Sequence, residues 1–352
     1  MNIKHVRPRL SLGALVVVAL VASVTLYVGS VGAQPNATRG AAAGKVNVAF
    51  LIATTSAGYP RGVLNAANKA AKKNNVAITV FDAQFNPQKQ FAQCQDAIAR
   101  KTFQVIVTLP AASPAMVPCA RLAKAAGIPL ISTDTPIGSN LTTGKPTVPG
   151  VTSQVLVPAI TAFASLKSSV QSACTRQGGG SNCHVGFIMG VKALALTTPA
   201  SKLLRSWVKQ AGGVYVGEAE GFYQRGGGLK VMQDLLQKDP GLNVVVSMSD
   251  DMAIGAEIAM KAAGKTAGTD VLVLTQGGSY QGVARLRAGT WYATSVVNAE
   301  SEGGIPIEFA AKLAAGKNVP SYVNSTTAGG TPQIINKAAL AKLPKFKGTF
   351  PA

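Results

Sequence analysis

Along most of the chain, short continuous apolar runs alternate with longer stretches whose apolar residues recur at helical spacing. VNVAFLIA (46–53), VAITVF (76–81), QVIVTL (104–109) and IPLIS (128–132) read as strands, and 61–73, 87–100 and 114–126 read as helices between them. Uninterrupted Val/Ile/Leu runs suit strands covered on both faces, so the alternation predicts a parallel sheet with helices on each side. A loop rich in Gly, Thr and Pro, 135–149, breaks the rhythm. It resumes with a helix over 157–172 and the strands HVGFIM, GVYVGEA, NVVVSM and DVLVLT. WYATSVVN (291–298) and SYVNSTT (321–327) flank a last helix, 302–315. The expected fold class is α/β: two Rossmann-like lobes with parallel sheets, joined by a three-stranded hinge. The first lobe takes 45–150 and 298–321, the second 151–297 and 322–340, and 341–352 is left as a tail.

The stretch VVVSMSDDMAIGAEIAMKAAGK (244–265) runs from a buried strand straight into a polar cluster and then a helix. Ligands of open α/β sheets bind at that carboxyl edge, because the following helices turn N–H groups toward it. Ser249 and Asp250 are therefore expected at the site, with Asp251 capping the helix.

Composition changes the picture at the amino terminus. Lys4, Arg7 and Arg9 precede an apolar run from Leu10 to Val28 and the small residues Val31-Gly32-Ala33, which predicts an export signal over 1–33, cut before Gln34, and a flexible linker over 34–44. The alternative is a retained membrane anchor. The protein is thus expected to be periplasmic or otherwise extracytoplasmic. Its net charge of +20 is spread along the chain without an Arg-rich helix, zinc-finger spacing or aromatic RNA-binding motif, so nucleic acid is not an expected partner. Four cysteines in an exported chain favour two disulfides, for which three pairings exist. The preferred one joins Cys94 to Cys119, on neighbouring helices, and Cys174 to Cys183, around the flexible TRQGGGSN.

Catalytic chemistry is scarce. The chain has two histidines; His5 falls in the export signal and His184 opens an apolar strand, which argues against a Ser-His triad or a histidine metal cluster. GGSYQG lacks the spacing of a nucleophile elbow, and GKT at 264–266 lacks the earlier glycine and preceding strand of a phosphate loop. No enzyme activity, metal or cofactor is expected.

The phrases FDAQFNPQKQFAQCQDAI, AGIPLISTD, GLKVMQDLLQKDPGLNVVVSMSDDMAIGA and VLTQGGSYQGVARLRAG resemble the ribose-binding-protein-like receptors, the type I solute-binding proteins of ABC importers. The likeness runs over nearly all of 45–340. It implies two lobes closing on a sugar, gripped by aromatic faces and by polar groups at strand ends. Carried over by position, the first-lobe aromatic falls on Tyr59, the second-lobe aromatic on Tyr223, the hydroxyl-accepting aspartate on Asp134 and a hinge serine on Ser153. Elsewhere the chain departs: Ser249 replaces an Asn, an expected Arg falls near Ser201, an expected Asp falls on Gly277 beside Gln276, and a hinge Gln falls on Val297 beside Asn298. The resemblance therefore implies a roomier, less polar pocket than a pentose receptor's, suited to a disaccharide, modified sugar, polyol or non-sugar metabolite. It also implies a monomer delivering its ligand to an ABC permease, the alternative being a sensor for a kinase or chemoreceptor. The DNA-binding relatives of the fold carry a helix-turn-helix where this chain has its apolar leader.

Overall fold

A computed structural model describes residues 44–192 and 194–352; the expected export signal and all but the last residue of the linker lie outside the described residues. The first half of the chain gives β1 (Val46–Ile52), α1 (Gly58–Lys73), β2 (Val76–Asp82), α2 (Pro87–Ala99), β3 (Val105–Leu109), α3 (Val117–Ala125), β4 (Leu130–Thr133) and β5 (Val151–Val155). The second gives α4 (Ala159–Ala164), α5 (Lys167–Arg176), β6 (His184–Met189), α6 (Thr197–Gln210), β7 (Val214–Glu220), α7 (Arg225–Lys238), β8 (Val244–Ser247), α8 (Asp250–Ala262), β9 (Leu272–Gly277), α9 (Tyr280–Ala288) and β10 (Ala293–Val296). The chain then returns through α10 (Ala299–Ala314), β11 (Tyr322–Val323), α11 (Ser325–Ala328), β12 (Ile334–Asn336) and α12 (Lys337–Ala341).

Two six-stranded sheets result, ordered β2-β1-β3-β4-β5-β11 and β7-β6-β8-β9-β10-β12. The two orders are the same topology repeated, parallel throughout except where β12 runs antiparallel to β10. Strand β1 shows why the sheets are covered on both faces. Val48, Phe50 and Ile52 join one apolar cluster with Val63 and Ile307, while Ala49 and Leu51 join another with Cys94 and Cys119. A third cluster fills the second lobe around Phe163, Phe187, Trp207 and Trp291.

Two expectations need correction, and one strand is new. Strand β5, placed at the start of the second lobe, pairs with β4 in the first sheet, and β11 pairs with β5 there too. The chain therefore crosses at 156–158, 297–298 and 324–333 rather than after 150 and 321. The helix expected over 157–172 is two helices, α4 and α5, broken around Ser165 and Leu166. The short strand β12 has no counterpart in the sequence pattern: three residues ending at Asn336, which caps the next helix, are too few to show a period.

The tail is the largest departure. Thr349 and Phe350 are buried, and the segment is bonded along the second lobe: Thr349 N–H donates to the Gly278 carbonyl at 2.9 Å, Tyr280 N–H to the Phe350 carbonyl at 2.8 Å, and Ala352 N–H to Gln281 Oε1 at 2.8 Å. The Phe350 ring leaves that lobe and enters the apolar cluster of the first, edge-on to Tyr59 at 5.4 Å. A strap thus runs from one lobe into the other.

Both expected disulfides are present, Cys94–Cys119 across α2 and α3 and Cys174–Cys183 around the 174–183 loop. Loop-closure entropy assigns about 3 to 4 kcal/mol to the first, which closes 25 residues, and about 2 to 3 to the second, which closes 9. Replacing each pair by serine should therefore lower the melting temperature in that order. Four titratable thiols in folded, unreduced protein would contradict the pairing itself.

Candidate ligand-binding cleft

Each lobe brings its ligand-facing loops to the carboxyl ends of its strands. In the first, the chain splits between β1 and β3, where the helices leave to opposite faces. Gln90 fills that split: its amide donates to the carbonyls of Leu51 (3.1 Å) and Leu109 (2.9 Å), and its carbonyl accepts from Ala111 N–H at 2.7 Å. This fixes the 109–113 loop against the start of α1. A helix pair does the same for the second lobe. Gly228 and Gly255 let α7 and α8 meet backbone to backbone, so a Cβ at Gly255 would lie 1.9 Å from the Arg225 carbonyl oxygen. That contact sets the Tyr223 loop beside 248–251.

A cavity of about 130 Å³ lies between the lobes. Its walls are mostly apolar, among them Ala53, Leu109, Ala111, Ala162 and Met248, and four aromatic residues reach it: Tyr59, Phe85, Tyr223 and Phe350. Phe350 fills one side of it, and the space is close to that of the ~150 Å³ cavity that holds one benzene.

Phe85 and Tyr223 come from opposite lobes and stack at 5.9 Å with 24° between their planes. Each follows another residue in the left-handed region, Gln84 (φ 55°) before Phe85 (57°) and Phe222 (54°) before Tyr223 (56°). Such backbone costs about 1 to 3 kcal/mol per residue and persists where the surroundings impose it. The same strained turn, after β2 and after β7, carries both rings to the cleft mouth.

The polar side of the cavity is acidic. Asp134, at φ 64° after β4, accepts from Thr135 Oγ1 at 2.8 Å and is partly buried. Burial pushes its carboxyl up to about 6, against the opposing pull of bonds from Thr135 and Tyr59. Glu302, on α10, accepts from the Tyr59 hydroxyl and from Ser325 Oγ at 2.6 Å. Burial first, and then the neighbouring Asp134, raise its carboxyl well above the usual range. Asp250 accepts through Oδ2 from Gly278 N–H (3.0 Å), Ser279 N–H (2.8 Å) and Ser279 Oγ (2.6 Å). Its other oxygen, Oδ1, is buried without a partner, as is Ser113 Oγ, and both residues line the cavity. Unpartnered buried polar atoms are costly, and two of them belong to residues of this cavity wall.

The expected site residues divide accordingly. Tyr59, Asp134, Tyr223, Ser249, Asp250 and Gln276 all line the cavity. Among the described residues, the Tyr223 hydroxyl and the Gln276 amide have no hydrogen-bond partner, which leaves both for a ligand. Ser153 and Asn298 are placed elsewhere. Ser153 is buried in β5, donating to the Pro320 carbonyl at 2.7 Å, because β5 belongs to the sheet and not to the cleft. Asn298 caps α10 by accepting from Ser301 N–H at 3.0 Å, and its amide donates to Thr331 at 2.8 Å.

The roles expected for Ser249 and Asp251 exchange. Ser249 caps α8, accepting from Met252 N–H at 3.2 Å, whereas Asp251 reaches across the cleft to Gly58 N–H at 3.2 Å and accepts from Arg225 Nε at 3.2 Å. Sequence reasoning missed Ser113, Phe85, Glu302 and Phe350. Phe85 had a legible signal, since it follows Asp82 by three residues just as Tyr223 follows Glu220 in the matching turn. Phe350 had none.

The family described as periplasmic binding protein domain matches residues 48–318, and the chain belongs to it. Within it the chain is ribose-binding-protein-like. It is 26% identical over 275 residues to the ribose import binding protein of Salmonella typhimurium, covering 78% of this chain and 87% of that one. It is 25% identical over 258 residues to the protein of that name from Bacillus subtilis, covering 73% and 78%. Among solved structures, an ABC transporter solute binding protein from Mycobacterium smegmatis with bound glycerol aligns at a TM-score of 0.70 and 25% identity, covering 88% of this chain and 100% of that one. Another protein from that organism, in complex with β-D-fucofuranose, aligns at 0.72 and 23%, covering 85% and 94%; it shares the two-lobed fold.

Proposed function

We propose that this protein is an extracytoplasmic receptor that captures a small sugar or sugar-like solute between its lobes and delivers it to an ABC import permease. The observation that carries the reading is the interlobe cavity, where aromatic rings from both lobes meet polar atoms left without partners. Rings supply apolar surface for sugar C–H groups, and the polar groups supply the donors and acceptors that hydroxyls need once water is excluded. The named functions of the curated relatives, ribose import binding, supply the transport context. Among the described residues no helix is long and apolar enough to cross a membrane, and the permease enters this reading as a separate chain.

A thermal-shift screen of the mature protein against monosaccharides, polyols, amino acids and nucleosides tests it, since a ligand at 100 times its dissociation constant adds about 2.7 kcal/mol. With a ligand in hand, Asp134→Ala should weaken binding roughly tenfold to a hundredfold, the usual cost of a lost charge-assisted bond in a desolvated site, about 1.5 to 3 kcal/mol. Ser249→Ala should weaken it less, because its hydroxyl is already engaged in capping α8. Calorimetry giving the reverse order would overturn this assignment of the site.

A further inference from the structure

The chain carries 34 basic and 14 acidic residues, yet the cavity reverses that balance. Asp134, Asp250, Asp251 and Glu302 all line it, and none of its lining residues is Lys, Arg or His. Arg225, half exposed and outside the lining, pairs with Asp251 and donates to the Ala352 carbonyl. Of the four acids, Asp251 has that partner and Glu302 accepts one hydroxyl on each oxygen. Asp134 accepts from hydroxyls and has no cationic partner, and one Asp250 oxygen is buried without a full hydrogen bond. The two acids thus lie in a largely apolar chamber lined also by Tyr59, Phe85, Tyr223 and Phe350, with no cation among its described lining residues to neutralise them.

Resting on the receptor reading above, we propose that the captured solute carries a positive charge: a protonated amine on a body of single-ring size, of the amino-sugar or aminocyclitol class. An ammonium brings donors and a positive charge, which match the carboxylates of the wall, and aromatic rings attract a cation in addition. Hydroxyls on the remaining ring positions would use Tyr223, Gln276 and Ser113. A neutral sugar can donate its hydroxyls to these carboxylates but brings no charge to offset theirs, so it should bind more weakly than its amine counterpart.

The two cases differ in their pH dependence. Asp134 faces Tyr59 on α1, Glu302 on α10 and Tyr223 of the other lobe, with Asp250 and Asp251 across the cavity, so no basic group complicates its ionisation. Its carboxyl is neutral below about 6 and charged above. Affinity for an amine should therefore rise as pH is taken from 5 to 7.5, and affinity for a neutral ring should stay level or fall.

The test is calorimetry of the mature protein with matched pairs: D-glucosamine, D-galactosamine and scyllo-inosamine, each against its hydroxyl counterpart and, for the sugars, the N-acetyl derivative. The proposal expects at least one amine to bind tenfold or more tighter than its neutral partners at pH 7.5, with the preference collapsing in Asp134→Asn. A neutral or acetylated member binding as tightly as its amine overturns the charge assignment and leaves the receptor reading standing. Silence across every pair overturns the proposal, and if the wider solute screen is silent too, the receptor reading falls with it.

Discussion

Phe350→Ala is expected to lower stability by about 3 kcal/mol or more, an effect large for a residue so near the chain end. The ring is 3% exposed and packs in the first-lobe cluster against Tyr59, so truncation forfeits a full aromatic transfer term and leaves a hole. The space it occupies was made for it: a Cβ on Gly62 would lie 2.4 Å from the Phe350 Cβ. Gly62→Ala should consequently expel the ring and destabilise by a similar route. Alanine at 350 would keep the Cβ that a Gly62 Cβ meets, so the cycle pairs Gly62→Ala with Phe350→Gly: these two act on one contact, and their double variant should be far less destabilised than the sum of its singles. Urea denaturation of the four proteins measures this cycle, and simple additivity would show that the strap does not seat as described.

The second large effect concerns the glycine at the crossing of α7 and α8, set against another in the first turn of α7. At Gly255 an added Cβ meets the Arg225 carbonyl oxygen at 1.9 Å and the Leu229 nitrogen at 2.8 Å, both backbone atoms that move only with α7. Overpacking of this kind costs about 1 to 3 kcal/mol and more when backbone must shift, against about 1 kcal/mol regained because alanine is the better helix former. Gly255→Ala should thus destabilise by about 2 kcal/mol and, by parting Tyr223 from Ser249 and Asp250, weaken binding as well. Gly226, in that first turn, is exposed, and a Cβ added there would have nothing within 4 Å. Gly226→Ala should instead stabilise by about 0.5 to 1 kcal/mol. Thermal unfolding of both variants checks the opposite signs.

How much of this was legible follows from how local each signal is. Strands such as QVIVTL and NVVVSM announced themselves because continuous β-branched runs bury both faces, and the cysteine pairs followed from helix face and loop length. The strands β5 and β12 were hidden, since VTSQV mixes polar residues with apolar ones and IIN is too short for a pattern. In the cleft, Asp134, Tyr59 and Tyr223 stood in recognisable phrases. Ser153 and Asn298 were misplaced because a hinge position and a site position differ by the direction of a side chain, which no linear pattern records. Glu302 and Phe350 reach the cavity only through tertiary packing, on a returning helix and a returning strap.

The paired left-handed turns bear on the order in which the solute meets the two lobes. Each turn holds its ring on its own lobe, so an open receptor offers two half-sites, one ending in Phe85 without a hydroxyl and one ending in Tyr223 with a free one. Exchanging the two rings, by Phe85→Tyr with Tyr223→Phe, keeps the stack and moves a single oxygen from the second lobe to the first. Such a variant separates loading from locking: an oxygen used in the first encounter should speed capture when moved to the first lobe, whereas one used to hold the closed form should alter escape alone.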